Sequence, residues 1–176
     1  MLNAFEVSPA LFASLKIAAP SYAGAPAYLD TAAAAKLIRH LLKAAFPAVK
    51  FSVTTSRYSG GSSINVKWTD GPTYRVVDEM VSALEGKGFD GSQDLEYAKA
   101  PFSVNGVLVR TYCYIHCNRH TSERLKQRAA EQVATYYGVA LPPRDQWSHT
   151  PGPNGMDYWN TLVYQACEDR TRFQSA

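Results

Sequence analysis

The sequence is short of the features that most quickly assign a protein to a class. Three of its 176 residues are cysteines, an odd number, and Cys113 and Cys117 stand too close along a strand to staple a fold. A disulfide framework is therefore not expected, and the thiols read as reduced. Charged residues make up 19% of the chain, too few for a polypeptide kept unfolded by its own repulsion. Apolar runs are brief: residues 32–35 and 107–109 fall far below the roughly 20 residues that span a bilayer. Residues 1–15 carry Glu6 and neither Lys nor Arg, so the positive opening of a secretory signal is missing. These scarcities lead to the expectation of a cytoplasmic protein with one ordinary hydrophobic core.

What is present is mildly basic and rich in rings. Eighteen Lys and Arg stand against 15 Asp and Glu, a formal charge of +3. The isoelectric point near 8.7 lies below the strong basicity of a dedicated DNA-binding domain, so charge alone selects no partner. Eleven Tyr and three Trp are a generous supply, to be placed either in a core or on a binding face.

Local patterns set out the elements. Ser8 followed by Pro9 predicts the cap and first position of a short helix, and residues 19–26, with Pro20, Gly24 and Pro26, read as a linker. Asp30 caps a second helix in which Leu37, Ile38, Leu41, Leu42 and Ala45 recur at helical spacing until Pro47 stops it. Residues 51–55 and 64–68 alternate apolar with polar around a turn at 59–62, which predicts a β-hairpin. Val76, Val77, Met80, Val81 and Leu84 form the stripe of another helix, which Gly86 and Gly88 are expected to end. Residues 89–106 read as a long loop with one short strand around 95–97. Residues 107–117 read as a single long strand, with Cys113, Ile115 and Cys117 on one face and Arg110, Tyr112, Tyr114 and His116 on the other. Thr121 or Ser122 caps a helix that Gly138 closes. Residues 157–170 form a last helix with Trp159, Leu162, Val163 and Ala166 on its apolar side.

The resulting fold class is α+β: a small antiparallel sheet of three to four strands with helices packed on one face. The order is α-β-β-α-β-α plus a C-terminal helix. The spans expected are an N-terminal helix and linker over 1–29, a core domain over 30–138, and a C-terminal extension over 139–176 docked on the core.

One block of residues carries a family likeness. Ala35-Lys36-Leu37-Ile38-Arg39, Phe46-Pro47 and Lys50-Phe51-Ser52-Val53 lead into the run from Arg57 through Ser59-Gly60-Gly61-Ser62-Ser63 to Trp68-Thr69-Asp70-Gly71-Pro72-Thr73. With Phe89-Asp90-Gly91 and the junction at 114–122, this resembles the large polyvalent protein-associated domain 29 over about residues 32–138. His116 and His120 stand where that family more often has other residues. The resemblance implies a module carried by phages, plasmids and integrative elements, in proteins thought to enter a bacterial host cell with the element's DNA and counter its defences. It brings no catalytic residues and no cofactor. A free-standing copy is then expected to act by binding, as an inhibitor of a host defence protein or nucleoprotein complex of the anti-CRISPR or anti-restriction kind.

Three constellations could carry chemistry. Cys113, His116, Cys117 and His120 are zinc-type ligands, but on a strand the thiols and imidazoles point to opposite faces, so no metal site is expected. The glycine-rich 59–63 segment has Arg57 nearby, but it lacks the following helix and lysine of a phosphate-binding loop and reads as a turn. The third is the sheet face turned away from Phe51, Val53, Ile64, Val66 and Trp68. Lys67, Arg110, Tyr112, Tyr114 and His116 are expected there, with Arg57, Tyr58 and Ser62 at its rim, as the partner-binding residues. Rings interleaved with cations suit a protein interface, and also single-stranded nucleic acid, which makes an accessory nucleic-acid-binding module the alternative. Such a face could equally be a homodimer seam or be covered by the C-terminal segment with Trp147, Tyr158 and Trp159. No nucleophile stands in a recognisable setting and no carboxylate pair is fixed by spacing, so no catalytic residue is assigned.

Overall fold

The computed structural model describes residues 4–169 and 172–173. In chain order the elements are β1 (Ala4–Phe5), α1 (Pro9–Ser14), β2 (Ala27–Tyr28), α2 (Thr31–Ala45), β3 (Phe51–Tyr58), β4 (Gly61–Thr69) and α3 (Tyr74–Ser82). They continue with β5 (Lys87–Asp90), β6 (Leu95–Ala98), β7 (Phe102–Val104), β8 (Val107–Arg110), β9 (Tyr114–His120), α4 (Glu123–Tyr137) and α5 (Trp159–Glu168). The α+β class is as expected, and the strands divide among three sheets. One has the order β1-β7-β8-β2, one β3-β4-β9, and one is the pair β5-β6. The first is mixed: β1 runs parallel to β7 and β2 to β8, while β7 and β8 are antiparallel.

The chain forms two compact units, unit 1 of Met1–Trp68 with Arg75–Asn118 and unit 2 of Thr69–Tyr74 with Arg119–Ala176. By this division the N-terminal segment is in the same unit as β3 and β4, and α4 is in the same unit as the C-terminal residues.

Unit 1 is built on α2 and the hairpin. The Asp30 carboxylate accepts the Ala33 N–H at 2.7 Å, which satisfies one of the donors that a helix start leaves open. The 3.6-residue period then buries Ala34, Leu37, Ile38 and Leu42 completely, each large aliphatic contributing roughly 1.5–3 kcal/mol. Gly60 takes φ +88° at the tip of the hairpin, a conformation other residues enter at a cost. The register pairs Phe51 with Trp68, Val53 with Val66 and Thr55 with Ile64, and Phe51, Val53, Ile64, Val66 and Trp68 pack in or against the core shared with α2.

The strand expected over 107–117 is interrupted. Residues 111–113 leave the ladder because their hydrogen bonds go to the loop after α3. The Thr111 hydroxyl donates to Leu84 O at 2.6 Å, and the Gly86 N–H donates to Cys113 O at 3.2 Å. The approach is close enough that a Cβ on Gly86 would lie 1.8 Å from the Thr111 carbonyl oxygen. Gly86 is thus a contact glycine, not the helix terminator expected; α3 has already ended at Ser82, and Gly88 lies within β5 beneath the Tyr97 ring.

Unit 2 has its own core. Ser122 caps α4 by accepting the Leu125 N–H, and Gly138 closes it at φ +64°. α5 lays Trp159, Leu162, Val163 and Ala166 in a cluster with Ala129, Ala130 and Val133 of α4. Trp147 is buried in the same cluster, its indole N–H donating to Pro142 O at 3.0 Å. Trp147 and Trp159 thus find their burial beside α4. The final helix is shorter than 157–170, and Arg170 lies outside the described residues.

Candidate functional site

The outward face of the β3-β4-β9 sheet gathers four of the eight residues expected to bind a partner. Alternation along the strands places Ile64, Val66, Trp68 and Ile115 in the core and therefore Tyr58, Lys67, Tyr114 and His116 on the opposite face. The Tyr58 ring lies over Gly61, where a Cβ would stand 2.9 Å from it. The Tyr114 and His116 rings stack at 6.3 Å with an interplanar angle of 11°. Tyr58 is 51% exposed, and His116 and Lys67 are exposed as well.

A polar lattice fixes this platform at Tyr114. Its hydroxyl donates to a Glu96 carboxylate oxygen at 2.8 Å, and Lys87 Nζ lies 2.6 Å from the other Glu96 oxygen. The same ammonium reaches Gly60 O at 3.4 Å and stands 6.0 Å from the Tyr114 ring centroid. The hydrogen bond from Lys87, with that from Tyr114, holds the Glu96 carboxyl below its usual range. Donation to Glu96 in turn pushes the Tyr114 hydroxyl up to about 12. Tyr114 is thus a neutral, oriented ring at physiological pH. Beneath it, the Glu85 carboxylate accepts the Ile115 N–H at 2.9 Å and pairs with Lys99.

The other four residues lie elsewhere. Arg57 and Ser62 are paired across the hairpin and alternate to the side of α2, where the Ser62 hydroxyl meets that of Thr31 at 2.7 Å. Because the strand breaks at 111–113, Arg110 and Tyr112 are not part of the β3-β4-β9 face. Arg110 sits in β8 opposite Tyr28, its Nε buried without a hydrogen-bond acceptor among the described residues. Tyr112 leans on Tyr28 with ring centroids 5.6 Å apart. Lys87 and Glu96 were not indicated by the sequence reading, since they come from a hairpin of two four-residue strands where a helix end at Gly86 and Gly88 and a long loop from residue 89 were expected. The one signal for it was the short strand expected near 95–97.

The thiols are insulated. Burial pushes Cys113 up to about 11 and Cys117 up to about 12, the latter with the Asp78 carboxylate adding to the effect. Cys113 and Cys117 pack in or against the core whereas His116 faces outward. Among the described residues no three His, Cys, Asp or Glu side chains converge as metal ligands would, and none of the helices is long and apolar enough to cross a membrane. In unit 2 a cleft of about 310 Å³ is lined by Lys126, Arg144, Trp147, Tyr164 and Cys167 among others. Glu123 holds both of its cations, at 2.7 and 2.9 Å.

The chain is thus an α+β module with an aromatic and cationic sheet face exposed. Residues 29–122 match the family model of large polyvalent protein associated domain 29, and since the match takes in more than half of the chain, the protein belongs to that family. The match begins at Leu29, just before α2, and ends at the cap of α4, so it is shorter at that end than the span of 32–138 read from the residues. The family's association with large polyvalent proteins suggests a module of a phage or other mobile element. No curated protein and no solved structure matches the chain.

Proposed function

We propose that the protein is a non-enzymatic module of a phage or plasmid that acts in the cytoplasm of a bacterial host. It binds and antagonises a defence protein or nucleoprotein complex, of the restriction or CRISPR kind, through the outward face of the β3-β4-β9 sheet. The observation that carries this reading is the platform of Tyr58, Tyr114 and His116, flanked by Lys67 and held by Lys87 and Glu96. Rigid rings with a polar rim are what protein interfaces concentrate, because they bury much area while losing few rotamers.

The test is biological and then biochemical. Expressed in bacteria that carry a restriction or CRISPR system, the protein should raise phage plating or plasmid uptake, and Tyr58→Ala with Tyr114→Ala should reverse the rise. The protein recovered from those cells should hold a component of the defence complex after nuclease treatment. No rise against any system tried, or recovery of nucleic acid alone, removes the proposal.

A further inference from the structure

Residues 31–69 hold six Lys and Arg, one His and no Asp or Glu. That stretch is α2 and the hairpin, and it carries twice the formal charge of the whole chain. The charge is also organised in space. At 100° per residue, Lys36, Arg39, His40 and Lys43 fall within an arc of roughly 100° on α2, and all four are exposed, as is Lys50 just beyond the helix. Arg57 alternates to the same side of the hairpin as α2. Arg39 is steadied by donating to Val53 O at 2.6 Å. Among the described residues none of these Lys and Arg side chains makes an ion pair, whereas Arg75, Lys87 and Lys99 of the same unit each do. The acid beside the stripe, Asp30, is engaged at the helix cap.

We infer that the outward side of α2, continued by Lys50, is a nucleic-acid surface that grips the phosphate backbone without reading sequence. Lys36 and Lys43 lie seven residues apart, about 10 Å along the helix, the length over which a duplex rises about three base pairs at 3.4 Å each along its axis. Unpaired cations set against a regular polyanion release its counterions, and that release supplies most non-specific affinity. A membrane is the poorer fit. Interfacial helices insert Leu, Phe or Trp beside their Lys and Arg, but here Leu37, Ile38 and Leu42 are fully buried in the core. The surface is separate from the Tyr58, Tyr114 and His116 face and does not depend on what that face binds.

The experiment is fluorescence anisotropy of the full chain with a short labelled duplex of random sequence, between about 50 and 200 mM salt. The wild type should bind, with affinity falling steeply as salt rises. Lys36→Gln, Lys43→Gln and Lys50→Gln combined should weaken binding at least tenfold, and should reduce the slope of log affinity against log salt by about 2–3. Arg75→Gln, whose guanidinium is already paired with Glu79, should leave both unchanged. Circular dichroism checks that the variants are folded; these surface positions touch no core residue by charge. Absence of duplex binding, an unchanged slope in the triple variant, or an equal loss in Arg75→Gln overturns the inference. So does binding of poly-glutamate, or of vesicles with anionic lipid, as tightly as the duplex.

Discussion

The two units distribute charge differently. Unit 1 has eleven Lys and Arg against eight Asp and Glu, and unit 2 has seven of each, so the whole net +3 belongs to unit 1. Among the described residues of unit 2, Arg119, Lys126 and Arg144 hold acidic partners, while Arg124 and Arg128 are exposed. The Arg119 guanidinium, buried, meets the Glu168 carboxylate and the Cys167 carbonyl, and Lys126 and Arg144 share Glu123. Among the described residues the cations of α2 and the hairpin in unit 1 make no ion pair, while rings of the same unit lie exposed on a sheet. Polar groups that satisfy one another stabilise a fold and leave little for a ligand, whereas groups held apart from opposite charge keep their interaction energy for a partner. That contrast is the reason the proposed binding is sought on unit 1.

If each unit rests on its own core, a lesion in one should be felt there first. The largest effect is expected from Trp147→Ala. That side chain is 2% exposed, and Arg144 stacks on its ring at 4.4 Å. Its loss should cost about 3–5 kcal/mol through the cavity and the lost contacts. Hydrogen exchange read segment by segment should show protection falling in α4 and α5 while α2 and β4 keep theirs. Equal loss in α2 and β4 would mean that the two cores unfold as one, and the comparison would break.

A smaller lesion on the other side is Gly86→Ala. One methyl group must find room against the Thr111 carbonyl oxygen, which is backbone and cannot swing away. Overpacking of this kind costs about 1–3 kcal/mol. Because the 84–86 loop also supplies the partners of Thr111 and Cys113, Tyr114 at the start of β9 should be displaced with it. Urea denaturation measures the cost, and an altered environment of the Tyr114 ring by NMR would tie the loop to the proposed binding face.

That junction is also where the sequence was least legible. Helices with caps were readable to within a residue or two: Asp30 and Ser122 both cap as their chemistry dictates, and Gly138 closes α4 in the left-handed conformation that favours glycine. The hairpin was readable because strict alternation and a glycine turn leave one register. Residues 107–117 alternate just as well, but period two says nothing about which sheet a strand joins. Thr111 and Cys113 keep the alternation of a strand while their hydrogen bonds go to a loop more than 20 residues away in sequence. For that reason half of the expected site, Tyr58, Lys67, Tyr114 and His116, shares one face, and Arg110 and Tyr112 do not. Glu96 and Lys87 reach the platform from elements too short for periodicity to reveal.

The mildest expected effect tests the self-pairing of unit 2 by pH. Burial pushes the Asp70 carboxyl up, but the N–H and hydroxyl of Ser122, at 2.8 and 2.7 Å, together with the charges of Arg119 and Arg124, outweigh it and leave Asp70 below its ordinary value. A carboxyl depressed in the folded state adds stability above its unfolded pKa and loses it as pH falls through the folded one. Unit 2 should therefore weaken on acidification through and below the usual aspartate range. Ser122→Ala removes the helix cap and one donor to Asp70 together. It should cost about 1 kcal/mol near neutral pH, and the deficit should shrink in acid, where Asp70 is protonated in wild type and variant alike and the cap alone is missing. Urea denaturation of both proteins at the two pH values reads the difference. A deficit that stays constant with pH would show that Ser122 serves α4 only as a cap, and that Asp70 is held down by its arginines.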